Sequence, residues 1–252
     1  MQSGTLRRLT VSALVIIAAG ALGADLAVAQ PQRAAGGPAP GARAPGFLAA
    51  PPPPLFFREP WHRNPGDHGQ VPVVPSNVSN SNLELRVYGL DAKGLTISGM
   101  GGNPNNLVNL WTGLSTEPIA VTLRDEHNYV DLTGRAKIRW TIRTSGFHVV
   151  RPVIKLADGT LLVGDHTDAS TTLFDETEFA IADIRWIKLD PRRVVTIGTY
   201  GPYGQAASWY EHPDLSKVDA VGFADLMPGS GHGSGGWINV ADFEVYGKPV
   251  KR

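Results

Sequence analysis

A period-two alternation of apolar and polar residues constrains this chain more than any other feature. In Lys137-Ile-Arg-Trp-Thr-Ile-Arg143, Ile138, Trp140 and Ile142 fall on one side and Lys137, Arg139, Thr141 and Arg143 on the other. Such a stretch suits a strand with one buried face and cannot present a helical stripe. Leu83, Leu85 and Val87 alternate with Glu84, Arg86 and Tyr88, and Ile119, Val121 and Leu123 alternate with Ala120, Thr122 and Arg124. Val150–Leu156 and Thr160–Val163 flank Asp158-Gly159, a dipeptide suited to a tight hairpin. Phe179 and Ile181, Val221 and Phe223, and Phe243 and Val245 continue the series. No stretch carries a helical repeat, and glycine and proline recur between the runs. The pattern predicts an all-β protein, an antiparallel β-sandwich of jelly-roll type, in a single domain over residues 61–250. Val87-Tyr88-Gly89 returns as Val245-Tyr246-Gly247, an echo expected of end strands lying side by side.

The chain contains no cysteine. Disulfide staples, a thiol nucleophile, thiolate zinc sites and a lipid anchor on cysteine are therefore excluded, and the fold must hold by core burial. Lys and Arg together number 23, as do Asp and Glu. That balance argues against a nucleic-acid partner and against adhesion to a membrane.

Two segments precede the alternating region. Arg7-Arg8, the apolar run Leu9–Leu22 and Ala27-Val-Ala29 have the layout of a secretory signal peptide over residues 1–29. Gly20, Gly23 and Asp25 break the apolar run before it could span a bilayer. The expected location is exported, periplasmic or extracellular. Residues 30–60, rich in Pro, Ala, Gly and Arg and ending near Pro51–Pro54, read as a disordered tether. Leu55-Phe-Phe57 and Trp61 are too apolar for a linker and are expected to strap onto the domain.

Candidate chemistry is sparse. Tyr200, Tyr203, Trp209 and Tyr210 crowd residues 198–212; such rings stack on sugars at loop rims, or plug the end of a core. Trp111 is a further ring, read as core. Gly229–Gly236 surrounds His232 with glycines that let backbone approach a ligand, or simply connect two strands. Gly164-Asp-His-Thr-Asp168 and Asp125-Glu-His127 set carboxylates beside histidines and read as turns, the second as a hairpin between Leu123 and Tyr129. Asp165, Asp168, Asp175, Glu176 and Glu178 supply carboxylates without a glycosidase signature.

Asp183-Ile-Arg-Trp186, Asp214-Leu-Ser-Lys-Val-Asp-Ala-Val-Gly-Phe223 and Trp237-Ile-Asn-Val-Ala-Asp-Phe-Glu-Val-Tyr-Gly247 resemble galactose-binding-like jelly rolls, among them carbohydrate-binding modules and complex I intermediate-associated domains. The resemblance covers about residues 135–247, and its motifs mark strands, not chemistry. It implies a structural calcium held by Glu84 and Asp242, which would need further oxygen ligands. The function expected is a secreted, non-catalytic module binding carbohydrate through loop aromatics. The alternatives are a glycan hydrolase or lyase using the carboxylates near 165–178, and a module docking an exported protein.

Overall fold

The alternating runs become two stacked antiparallel sheets in the computed structural model, which describes residues 51–169, 171–197, 199–201, 204–206, 209–226 and 236–252, with backbone only at 199–201 and 204–206. Along the chain the strands are β1 (Leu55–Glu59), β2 (Val71–Pro72), β3 (Leu83–Tyr88), β4 (Thr96–Ser98), β5 (Asn109–Trp111), β6 (Ile119–Asp125), β7 (Asn128–Asp131), β8 (Lys137–Ser145) and β9 (Val149–Leu156). They continue with β10 (Leu161–Gly164), β11 (Asp168–Ala169), β12 (Asp175–Ala180), β13 (Trp186–Lys188), β14 (Thr199–Gly201), β15 (Gly204–Ala206), β16 (Val218–Leu226), β17 (Trp237–Tyr246) and β18 (Lys248–Lys251). Among the described residues helical structure is limited to three single 3₁₀ turns. The expected all-β antiparallel sandwich is what forms, and residues 50–252 make one compact unit.

One sheet runs β12-β8-β17-β5-β4-β2, with β1 sharing β17's edge with β5. The other runs β13-β10-β9-β16-β6-β3, with β7, β11 and β18 appended. Among the places where consecutive strands cross between the sheets are β5 to β6, β8 to β9 and β16 to β17. Their partners pair as well, β17 with both β5 and β8, and β16 with both β6 and β9. Trp237 opposes Ser145, and Leu226 opposes Val149. These three crossings therefore leave from one end of the sandwich, and their loops share that end.

Between the sheets, β8 buries every second residue: Ile138, Trp140, Ile142 and Thr144. Trp140 meets Phe179 at 4.7 Å between ring centroids, and Phe243 lies 5.8 Å from Phe223 and 5.9 Å from Phe57. In β17 a bulge between Val240 and Asp242 resets the alternation, so Ile238 and Val240 and then Phe243 and Val245 all face inward.

The nine-stranded sheet is also covered on its far side. Val153, Leu161, Val163, Ile187, Leu189, Val194 and Leu226 form a second small core there. The outer positions of the seven-stranded sheet remain polar and partly open: β8 presents Lys137, Arg139, Thr141, Arg143 and Ser145.

Three expectations change. The folded body begins at β1, not residue 61, because Leu55–Glu59 pairs with β17 and buries Phe57 and Glu59. Residues 125–128 make a turn, with Asp125 Oδ1 accepting from the amides of His127 and Asn128, but no hairpin. β6 and β7 both pair antiparallel to β16, so the chain continues in one direction past an excursion. The Val-Tyr-Gly echo marks no neighbours, since among the described residues β3 pairs only with β6, and β17 lies in the other sheet. The Asp158-Gly159 hairpin forms as expected, with Gly159 at φ +89°.

Candidate functional site

At the crossover end, Asp225 closes β16 with its carboxylate fully buried. Its Oδ2 accepts from the Thr112 hydroxyl, and its Oδ1 lies 2.7 Å from His148 Nδ1. Thr112 Oγ1 also accepts from the Ile238 amide at 3.0 Å. Thr112 belongs to the β5–β6 crossing and His148 to the β8–β9 crossing, while Asp225 opens the β16–β17 crossing. One carboxylate thus gathers all three and gives the loops above a rigid floor.

On the outer side of this floor, β8, the start of β17 and the segment ahead of β12 bring together a groove of about 480 Å³, lined by Arg143, Thr144, Ser145, Gly146, Thr171, Thr172 and Trp237. Trp237 sits half-buried, and Trp111 meets it edge-on with centroids 6.3 Å apart. Gly113 lies under the Trp111 indole so closely that a Cβ there would come within 2.0 Å of Cζ2. Beside the groove Phe147 stands 78% exposed at the turn from β8 to β9, and no core packing accounts for it.

Beneath Trp237, hydrogen bonds order the floor. The Arg143 Nε donates to Asn239 Oδ1 at 3.3 Å, Asn239 Nδ2 to Asn109 Oδ1 at 2.8 Å, and Asn109 Nδ2 to the Leu107 carbonyl at 2.7 Å. The Arg143 guanidinium also rests 5.0 Å from the Phe174 ring. Aromatic faces beside amides, hydroxyls and a guanidinium can stack on a ring and bond its substituents at the same time.

Farther along the same sheet face the charges neutralise one another. Arg58 is bidentate to Asp242, Arg139 reaches Glu244 at 2.6 Å and Glu176 at 3.4 Å, and Lys137 reaches Glu178 at 2.8 Å. Hydrogen bonding and attraction from Asp242 raise the Arg58 pKa, and Glu244 does the same for Arg139.

Among the residues singled out from the sequence, Trp209 and Tyr210 lie on another flank. They line a concavity of about 360 Å³ with Ile184, Trp186, His212 and Leu215. Trp209 is 37% exposed, but the Arg185 guanidinium sits 4.0 Å over its ring. Tyr210 packs on the core, with the Lys188 ammonium 5.2 Å from its ring. Tyr200 lies on β14 opposite Gln205, with its side chain outside the described set. Tyr203, His232 and most of Gly229–Gly236 lie outside the described residues, as do the leader at 1–29 and the tether up to residue 50.

Glu84 and Asp242 do not meet. Glu84 is on β3 of the nine-stranded sheet with Arg86 and Arg124 each at 3.3 Å; Asp242 is on β17 of the other sheet, held by Arg58. A carboxylate bound to a guanidinium on a separate sheet does not fit the shared oxygen cage calcium needs. Among the described residues no cluster of three or more histidines and carboxylates could hold a metal.

Of the carboxylates near 165–178, Asp165, Asp168, Glu176 and Glu178 are engaged. Asp168 Oδ2 accepts from Trp140 Nε1 at 2.7 Å and Thr177 Oγ1 at 2.8 Å, and lies 3.1 Å from His166 Nε2. Burial raises its pKa, yet these bonds outweigh burial and hold it below the ordinary carboxylate value. Asp165 is tied to Arg185.

The groove residues Trp237, Arg143 and Phe147 were not singled out from the sequence, though a signal for two of them was present. Ile238 and Val240 must face the core, so Trp237 has to face out; the same alternation turns Arg143 outward.

No protein-family model matches the chain, and no curated protein matches it by sequence. Solved structures do resemble it. One is the family 11 carbohydrate-binding module of the cellulosomal cellulase Lic26A-Cel5E of Clostridium thermocellum, at 17% identity over 71% of this chain and 95% of that one, TM-score 0.40. The family 11 module from Clostridium thermocellum in complex with a β-1,3-1,4-mixed-linked tetrasaccharide is 16% identical, over 73% and 98%, TM-score 0.39. An exo-β-agarase is 10% identical over 73% of this chain and 25% of its own length, TM-score 0.35. What the groove takes has to be read from its own side chains.

Proposed function

We propose that this chain is an exported, non-catalytic β-sandwich that binds a glycan across the crossover end of its seven-stranded sheet. The observation carrying this reading is Trp237, half-buried in the groove lining among hydroxyls and one guanidinium, with Trp111 edge-on against it and exposed Phe147 next to Gly146 of the lining. Rings with polar neighbours suit the two-faced character of a sugar, apolar over its C–H face and hydrogen-bonding at its hydroxyls. Rigid strands hold the platform, so little ordering entropy opposes binding. Absence of catalysis is supported by the engagement of Asp168 in part-buried hydrogen bonds and of Asp165, Glu176 and Glu178 in surface ion pairs. Export is supported by the leader-like residues 1–29.

Depletion of the purified chain by a panel of soluble and insoluble polysaccharides tests the reading, with released sugar assayed in the same supernatants. Retention without release, weakened about tenfold or more in Trp237→Ala at unchanged thermal stability, is the expected result. Retention unaffected by Trp237→Ala moves the site elsewhere, and release of sugar makes the protein an enzyme.

A further inference from the structure

The outward cations of β1 and β8 differ in what they face. Arg58, Lys137 and Arg139 each lie within 3.5 Å of a carboxylate oxygen. Arg143, four residues beyond Arg139 on the same face, makes no ion pair among the described residues. Its partners are the Asn239 side-chain carbonyl and the Phe174 ring. No Asp or Glu lines the groove it enters. Outside the described set the only acidic residue is Asp25, within the leader-like segment; the crossing 227–236 that leads to Trp237 has none. A half-buried guanidinium with free donors, set beside stacking rings and hydroxyls and apart from the carboxylates of the sheet, suits an oxyanion.

Resting on the glycan-binding reading above, we infer that the groove selects an acidic sugar, and that Arg143 receives a carboxylate or sulfate carried on a ring stacked against Trp237. The guanidinium fork matches either oxyanion with two parallel hydrogen bonds. Ser145, Thr171 and Thr172 supply hydroxyl partners around it. The Asn239–Asn109 chain holds the arginine from below through a neutral acceptor, which orients it without cancelling its charge. The chain as a whole carries no net charge, so a preference for acidic glycans would not come from general attraction.

The test is isothermal titration of the full chain with three sets of oligosaccharides. These are uronate oligomers such as oligogalacturonate and oligoalginate, sulfated galactan oligomers, and neutral oligomers including carboxyl-reduced uronates and desulfated galactans. At least one acidic set is expected to bind about tenfold or more tightly than its neutral counterpart, the scale of a charge-assisted hydrogen bond. The uronate and sulfate arms identify which oxyanion is taken. Arg143→Gln should abolish the preference, Arg143→Lys should restore part of it, and raised salt should weaken only the acidic set. Melting curves of both variants check folding. Equal binding of acidic and neutral forms, or a preference that survives Arg143→Gln, overturns the inference while leaving the glycan-binding reading in place. Failure of every glycan to bind overturns both.

Discussion

Glu59 provides a sharp test of how the N-terminal strand is held. Its carboxylate is fully buried at the end of β1. It accepts backbone amides of Trp61 at 2.7 Å, Ser79 at 2.8 Å and Asn80 at 3.0 Å. Removing it in Glu59→Ala leaves the buried Trp61 amide and the part-buried Ser79 and Asn80 amides unpaired, each worth up to about 1–3 kcal/mol. The three share one acceptor group and do not add fully, so a loss of about 4 kcal/mol is expected. For a domain of this size that lowers the melting temperature by about 10 °C. Glu59→Gln keeps one carbonyl oxygen for two of the amides but can turn an NH₂ toward the third, and should lose about half as much. The comparison that decides is Arg58→Ala, one residue earlier. Arg58 is bidentate to Asp242, but its side chain is 55% exposed, so solvent screening limits its loss to about 1 kcal/mol or less. Thermal unfolding followed by circular dichroism ranks the three. If Glu59→Ala melts within about 3 °C of the parent, or below which Arg58→Ala also falls equally, buried amide satisfaction does not hold the strap.

Two further perturbations test other parts of the structure. In Gly113→Ala the new Cβ meets the Trp111 ring at 2.0 Å; the indole must swing away, so near-ultraviolet circular dichroism should change and glycan retention fall about tenfold, and an unchanged spectrum would sink the account of how Trp111 is oriented. Asp219 sits at a bulge of β16, where burial raises its pKa but hydrogen bonds and attraction from Arg252, Lys155 and Arg124 outweigh burial and hold it below the ordinary value. A carboxyl depressed on folding stabilises above its unfolded value of about 3.9, and that stabilisation is lost as pH falls through the folded value. Asp219→Asn should therefore cost about 2 kcal/mol at neutral pH and flatten the decline of melting temperature below about pH 4; parallel curves for parent and variant would contradict the linkage.

The strands were legible where each face had one environment. Lys137–Ser145 is buried inside and polar outside, and its alternation translates directly into β8. Where the alternation breaks, a bulge is responsible. The register of β1 shifts between Leu55 and Phe57, so Phe56 and Phe57 fall side by side, and the buried Glu59 breaks the polar-out rule. Those two departures hid a strand at the end of a proline run. The direction of the chain after Asp125 was equally hidden. An Asx-type turn closes over two or three residues whether or not the strand reverses, and only the common partner β16 distinguishes the cases.

The site was less legible because its parts come from separate strands. A run such as Tyr200–Tyr210 attracts notice through local density, yet density does not measure accessibility: Trp209 is capped by Arg185 and Tyr210 rests on the core. Trp111 and Trp237 lie far apart in sequence, and each alone reads as an ordinary strand residue. They become a platform only because β5 pairs with β17 and puts Trp111 opposite Asn239. That pairing depends in turn on Thr112, His148 and Asp225, which join the crossings at the buried end of the sandwich. Composition alone gives Asp225 no distinction from the other carboxylates of the chain; its burial at the end of β16 does. A buried carboxylate satisfied by partners from two other crossings lets neither sheet slide without stranding it. The groove above inherits that fixed spacing, which is the property a stacking platform needs if it is to recognise a rigid ring.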